Sequence, residues 1–91
     1  MSNINGWKLV YNDKYNKEWK KGKYILAVHP ETITSFGSDK YEIRLSKENG
    51  RFGVTDIKVW GLFANKRQAV KYAEKLMRLP IRKMLDNPNF L

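Results

Sequence analysis

Cysteine is absent from this chain of 91 residues, and histidine occurs once, as His29. Without thiols the protein cannot rely on disulfides or thiolate metal ligands, and one imidazole cannot build a three-histidine zinc site. A nucleophilic Ser-His pair would have to use His29, which stands before Pro30 at the end of an apolar run and is expected to be structural. The sequence therefore predicts a non-enzymatic protein with no cofactor and no metal site.

Long hydrophobic runs and glycine-rich phosphate loops are also missing. No apolar stretch approaches the roughly 18 residues of a membrane-spanning helix, and no signal-peptide core is recognisable. The six glycines are scattered and form neither GxGxxG nor GxxxxGK[ST]. We expect a cytoplasmic protein with no membrane partner.

The apolar content is nevertheless that of a folded protein. Hydrophobic residues make up 42% of the chain and aromatic residues 13%, enough to offset the entropy lost on folding. A chain of this length supports one core. We predict a single small domain over residues 1–91, with a polar C-terminal tail at about 86–91.

Four runs of strand-forming residues are expected to pair as an antiparallel sheet. The clearest signals are the alternation in residues 41–46 and the hairpin pair Asn49-Gly50. In the last run the alternation of apolar and polar residues shifts by one position, which predicts a bulge near Thr55-Asp56. The predicted strands cover about residues 7–11, 23–29, 41–46 and 51–60, with residues 12–22 as a hairpin loop and 31–39 left unassigned.

One helix is predicted to begin after Asn65, which can cap its first turn while Gln68 reaches back. Pro80 should end or kink this helix before one further turn. The predicted fold is therefore α+β: a four-stranded antiparallel sheet (ββββα) with one C-terminal helix packed on one face. The apolar positions expected to pack on the sheet are Ala69, Val70, Ala73, Leu76 and Met77.

Acidic residues are scarce, with nine against 18 basic ones and a net charge of +9. The excess lies at the two ends. Residues 1–23 carry six basic and two acidic side chains (+4), residues 66–91 carry seven and two (+5), and residues 24–65 carry five of each. A charge of this size concentrates polyanions near a protein. We therefore expect a nucleic-acid partner.

The predicted helix carries a continuous basic stripe on the side away from its apolar face. Cations at such spacing can lie along a phosphate backbone. The alternative is a solvated face, because lysine and arginine are good helix formers. Glu74 is the only acid between residues 57 and 85, and this imbalance favours binding. The stripe consists of Arg67, Lys71, Lys75 and Arg78.

The stretch YNDKYNKEWKKGKY, residues 11–24, interleaves aromatic rings with lysines. One interpretation is that Trp19 stacks on bases while neighbouring lysines hold phosphates. The other is that Trp19 and Tyr24 anchor the core and the lysines keep an edge hairpin soluble. Both remain open at this point. On the first, the nucleic-acid-binding set gains Lys17, Trp19, Lys20 and Lys21.

One short pattern is enzyme-like. Asp56-Ile57-Lys58 matches the (D/E)-x-K signature of metal-dependent nucleases, in which an upstream carboxylate such as Asp39 would share the metal. A regular strand would place Asp56 and Lys58 on the same face. Three residues of such common types also meet by chance, so this hypothesis ranks last.

Residues 40–77 resemble the DNA-binding domains of the AP2 and Tn916-integrase arm-binding type, which share a hairpin, G-x-F, a polar turn and a helix of the form xxxAxxYA. The matching positions are Gly61, Phe63, Ala69, Tyr72 and Ala73. Such domains lay their sheet in the DNA major groove. The resemblance implies DNA rather than RNA as the partner, and contacts from Arg44, Lys47, Arg51 and Lys58. The balanced charge of residues 24–65 instead favours the helix and the first loop.

A second class of function is a protein-interaction module. KYEIRLS, preceded by an NGW opening, resembles short segments of phage anti-defence proteins, such as some anti-CRISPR inhibitors. The lysine- and asparagine-rich composition resembles the coding bias of an AT-rich genome, such as that of a low-G+C bacterium, its phages or its plasmids. Exposed aromatic side chains would then serve as hot spots for a protein partner. An uncovered edge of the first or third predicted strand would also permit a homodimer.

Overall fold

The computed structural model of the protein describes residues 3–31 and 40–88. Within them, strands pair antiparallel in chain order to form one open sheet, and two helices follow. The strands are β1 (Asn3–Ile4), β2 (Trp7–Asn12), β3 (Lys17–Lys21), β4 (Tyr24–Pro30), β5 (Tyr41–Glu48) and β6 (Val54–Phe63). The helices are α1 (Lys66–Met77) and α2 (Ile81–Asp86).

The predicted α+β class and antiparallel sheet are confirmed, but four strands and one helix are too few. Two strands were missed: the two-residue β1, and the five-residue β3 in the stretch expected to be a loop. β3 lies inside the sheet, where Trp19 pairs with Leu9 of β2 and Leu26 of β4. Its sequence, KEWKK, has polar residues on both faces, so its own alternation is weak and its pairing comes from its neighbours.

The connections also differ in detail from those expected. Residues 49–53 join β5 to β6 through a 3-10 turn at Gly50–Phe52 rather than through a two-residue hairpin turn. Pro80 separates the two helices, and the expected extra turn is the six-residue α2. The predicted tail overlaps the end of α2 at Asp86, and its residues 89–91 lie outside the described residues.

The core lies between the sheet and α1. Residues paired in register share a face, so Trp19, Leu26 and Leu45 form one row beneath the helix. The predicted apolar face of α1 is confirmed, with Val70 partly buried and the other four positions fully buried. The buried hydrophobic residues of the sheet are Trp7, Trp19, Leu26, Val28, Ile43, Leu45, Trp60 and Phe63.

One polar contact caps the start of α1, and two others tie the ends of the helix to residues beside β2. The predicted cap at its start is present, because Gln68 N donates to Asn65 Oδ1 at 2.9 Å. At the same end, Lys66 Nζ donates to the Asp13 carbonyl at 2.5 Å, and at the other end Asn5 Nδ2 donates to the Met77 carbonyl at 3.1 Å. Asp13 follows β2 and Asn5 precedes it, so α1 runs antiparallel to β2.

No helix in residues 3–31 and 40–88 is both long enough and apolar enough to cross a membrane.

Trp19→Ala should test the placement of β3 in the core. Trp19 is 2% exposed, so its loss should lower the free energy of unfolding by about 3–5 kcal/mol, the usual cost of truncating a buried aromatic residue. Urea unfolding followed by circular dichroism measures this. Tyr15→Ala is the matched control, because Tyr15 is 50% exposed and its loss should cost less than about 0.5 kcal/mol. Equal, small losses would contradict the core position of Trp19.

Candidate nucleic-acid interface

The basic stripe of α1 faces solvent. All four of its side chains, Arg67, Lys71, Lys75 and Arg78, are exposed on the side of the helix opposite the buried alanines, Leu76 and Met77. The salt bridges found among the described residues involve none of these four cations. The stripe therefore presents uncompensated positive charge.

A groove of about 540 Å³ separates the N-terminal part of α1 from the hairpin formed by β2 and β3. We call it the basic groove. It brings Lys17 of β3 together with Arg67 and Lys71, although the three are far apart in the sequence. Its lining residues are Asn12, Lys17, Lys66, Arg67, Val70, Lys71 and Glu74. Four cations thus face one carboxylate across a concave surface.

The turn between β2 and β3 connects two groove residues, Asn12 and Lys17, and is held by Asp13. Its carboxylate accepts from the backbone N–H of Tyr15 at 2.9 Å and of Asn16 at 2.7 Å, and from the Tyr11 hydroxyl at 2.5 Å. The Tyr11 hydroxyl, followed by the two N–H groups, lowers the pKa of Asp13 from its ordinary value to about 2. The carboxylate is therefore ionised at neutral pH, and the turn is pre-organised.

The predicted lysine and tryptophan loop does not form one surface, because it is a strand. Trp19 is buried in the core and cannot stack on a base while the fold is intact. Alternation places Lys17 and Lys21 on the helix side of the sheet and Lys20 on the other side, where its Nζ lies 3.1 Å from a Glu48 carboxylate oxygen. Of these four candidate residues, only Lys17 lines the basic groove.

The sheet face away from the helices carries a paired charge network instead. Arg44 donates to Glu42 at 2.7 Å and to Asp56 at 2.8 Å, and His29 Nε2 lies 3.2 Å from a Glu42 oxygen. The Glu42 side chain is only 5% exposed. Burial disfavours the Arg44 cation, but the two carboxylates outweigh it and raise the pKa of Arg44. Arg44 is therefore assigned a structural role, as the partner of Glu42 and Asp56.

The contacts implied by the AP2-like resemblance lie on different surfaces. Arg44 is on the face away from the helices, whereas Lys58 is on the helix side and donates to the carbonyls of Leu85, at 2.7 Å, and Asn87. Lys47 lies over the Tyr24 ring at 5.7 Å, also on the helix side. Arg51 belongs to the 3-10 turn. These four side chains do not form a single sheet surface for a DNA groove.

The nuclease-like pattern is separated by a β-bulge. Asp56 pairs with Ser46 and Lys58 pairs with Leu45, so Ile57 is the extra residue, one position from the predicted bulge. The expectation that Asp56 and Lys58 share a face is therefore wrong. Asp39 lies outside the described residues. Among residues 3–31 and 40–88, no three His, Asp or Glu side chains gather as metal ligands.

The chain was compared with protein families, curated proteins and solved structures. No protein-family model, curated protein or solved structure matches the chain. Function is therefore inferred from the geometry of the basic groove and the stripe beside it.

Four groove residues were not among the predicted site residues: Val70 and Glu74 of α1, and the pair Asn12 and Lys66, whose side chains contact each other. Lys66 directly follows the cap residue Asn65, and its position at a helix start was the only signal in the sequence. Asn12 marked a turn but gave no sign of which helix it would meet. Both reach the groove because α1 lies antiparallel to β2, which is a long-range feature of the fold.

Arg44→Ala should show that this arginine stabilises the fold. It would leave the buried Glu42 carboxylate with only His29 among the partners described above, so we expect the free energy of unfolding to fall by about 1–3 kcal/mol. Lys47→Ala is the control, since Lys47 is exposed and has no carboxylate partner in the described part of the chain. Its loss should cost less than about 0.5 kcal/mol in the same urea titration. Equal costs for the two variants would contradict a structural role for Arg44.

Proposed function

We propose that this protein is a small non-enzymatic nucleic-acid-binding protein that holds phosphates in the basic groove and along the α1 stripe. The observation that carries the proposal is the meeting of Lys17, Arg67 and Lys71 in one groove, none of them in a salt bridge with a described carboxylate. Lys75 and Arg78 extend the same surface along α1. A row of cations without carboxylate partners is the usual footprint of a phosphate backbone.

The difference in charge between the two sides of the molecule supports binding of nucleic acid on the helix side. On the sheet face away from the helices, the described residues include four acidic and three basic side chains. They are Glu18, Glu42, Glu48 and Asp56, against Lys8, Lys20 and Arg44. That face attracts polyanions weakly, whereas the helix side concentrates free cations. The resulting field would steer a nucleic acid toward α1.

The chemistry of the surface implies limited sequence selectivity. Lysine and arginine side chains on an open groove contact phosphates, and such contacts carry affinity rather than base information. We propose DNA ahead of RNA because the AP2-like resemblance is to DNA-binding domains, and we place the activity in the cytoplasm, as expected from the sequence. Neither a metal nor a cofactor is part of this proposal.

Lys71→Glu should separate specific groove binding from general charge attraction. We expect it to weaken binding to labelled DNA by about tenfold or more and to lower the salt slope by about 1. Fluorescence anisotropy across a salt series measures both quantities. Lys8→Glu changes the net charge equally but lies exposed on the opposite face, so its effect should stay within about twofold at moderate salt.

Two outcomes would count against this function. Equal weakening by Lys71→Glu and Lys8→Glu would mean that net charge alone, not the groove, attracts DNA. Binding by the parent protein that does not change with salt would exclude phosphate contacts as its source.

A second candidate function, the protein-interaction module raised by the sequence, is favoured by a different observation. β6 is the outermost strand of the sheet, and no described strand pairs with its outer side. Along it Val54, Ile57 and Leu62 are exposed, with Ile57 at 40%. An uncovered apolar edge can accept a strand from another chain, of which a second copy is the simplest case.

Ile57→Lys should disrupt such an association, because charged side chains are a common protection of edge strands. On the protein-interaction hypothesis, light scattering after size exclusion should give a dimer for the parent and a monomer for the variant, with DNA binding unchanged. A monomeric parent at high concentration would remove the second copy as the partner of β6.

A further inference from the structure

An exposed tyrosine, Tyr15, lies in the turn between two residues that line the basic groove. Tyr15 belongs to the four-residue turn closed by a 2.8 Å hydrogen bond from Asp13 N to the Asn16 carbonyl. Asn12 and Lys17, which flank this turn, both line the groove. Tyr15 is two residues from Lys17, so their Cα atoms are at most about 7 Å apart. A group bound at Lys17 is therefore within reach of the Tyr15 ring.

The turn that carries Tyr15 is fixed before any ligand arrives. Asp13 Oδ1 accepts from the backbone of Tyr15 at 2.9 Å, and Lys66 ties the Asp13 carbonyl to the start of α1 at 2.5 Å. Little conformational freedom of the turn is left to lose on binding, which favours affinity. The same contacts join the turn that carries Tyr15 to the start of α1, where Lys66 and Arg67 line the groove.

The side chain of Tyr15 is available in a way that Trp19 is not. It is 50% exposed, whereas Trp19 is in the core. The Lys14 ammonium lies 5.4 Å from the centre of the Tyr15 ring, over one of its two faces, so a base would use the other face. Flat aromatic surfaces beside backbone-binding cations are the arrangement that proteins use to hold unpaired bases.

We propose that the basic groove takes a single-stranded nucleic acid, with phosphates on Lys17, Arg67 and Lys71 and an unpaired base stacked on Tyr15. This inference rests on the proposed function and names its substrate class. A volume of about 540 Å³ is that of a small-ligand site and suits a short stretch of one strand. In a duplex the bases are already paired and stacked, so Tyr15 would have no base to receive.

The test compares three labelled or competing probes: an oligothymidylate of about 15 nucleotides, a mixed-sequence duplex of the same length, and inorganic polyphosphate, which has charge but no bases. We expect the parent to prefer the single strand. Tyr15→Ala should weaken its binding about fivefold to a hundredfold, the range measured for loss of one stacked base, while duplex and polyphosphate binding stay within about twofold. Tyr15→Phe keeps the ring and should bind the single strand like the parent.

The outcomes separate this inference from the function on which it rests. If Tyr15→Ala weakens all three probes equally, or if the parent binds duplex and single strand equally, stacking on Tyr15 is overturned while a Lys71→Glu effect would preserve phosphate binding. If the parent shows no salt-dependent binding to any probe, both fail together. Circular dichroism of each variant confirms that the comparison is made between folded proteins.

Discussion

The hydrogen bond from Lys66 to the Asp13 carbonyl sets the geometry on which the candidate site depends. It ties the first turn of α1 to the turn between β2 and β3, while Asn5 holds the other end of the helix at Met77. Both ends of the helix are tied to residues beside β2, and Ala69 and Ala73 are buried against the sheet. These contacts define how α1 lies on the sheet. The space left between it and the hairpin is the basic groove.

The register of the sheet determines which side chains lie on the same face. One extra residue in a strand changes the face on which the following side chains lie. In β6 the bulge at Ile57 sends Asp56 to one face and Lys58 to the other. Asp56 then joins Arg44 in a structural ion pair, and Lys58 donates to the carbonyls at the end of α2. A sequence pattern that suggests catalysis thus becomes two unrelated structural contacts, because strand alternation is broken at one point.

Features predicted correctly from the sequence are those with local causes. The cap at Asn65, the apolar face of α1 and the exposure of its cations follow from spacing within a dozen neighbouring residues. β3 could not be predicted in this way, because lysines lie on both of its faces and it shows no alternation of apolar and polar residues. Its pairing depends on Leu9 and Leu26 in the neighbouring strands. The groove could not be predicted from the sequence either, because Lys17 meets α1 only after the strands of the sheet have paired in order.

The distribution of ion pairs separates two uses of positive charge in this molecule. On the sheet face away from the helices, Lys20 and Arg44 are neutralised by nearby carboxylates. On the helix side, the groove cations Lys17, Arg67 and Lys71 have no such partner among the described residues. Crowding unpaired cations destabilises a compact fold through repulsion. The proposed function accounts for this contrast between the two faces, because the phosphates of a bound nucleic acid would supply the counter-charge that the groove cations lack.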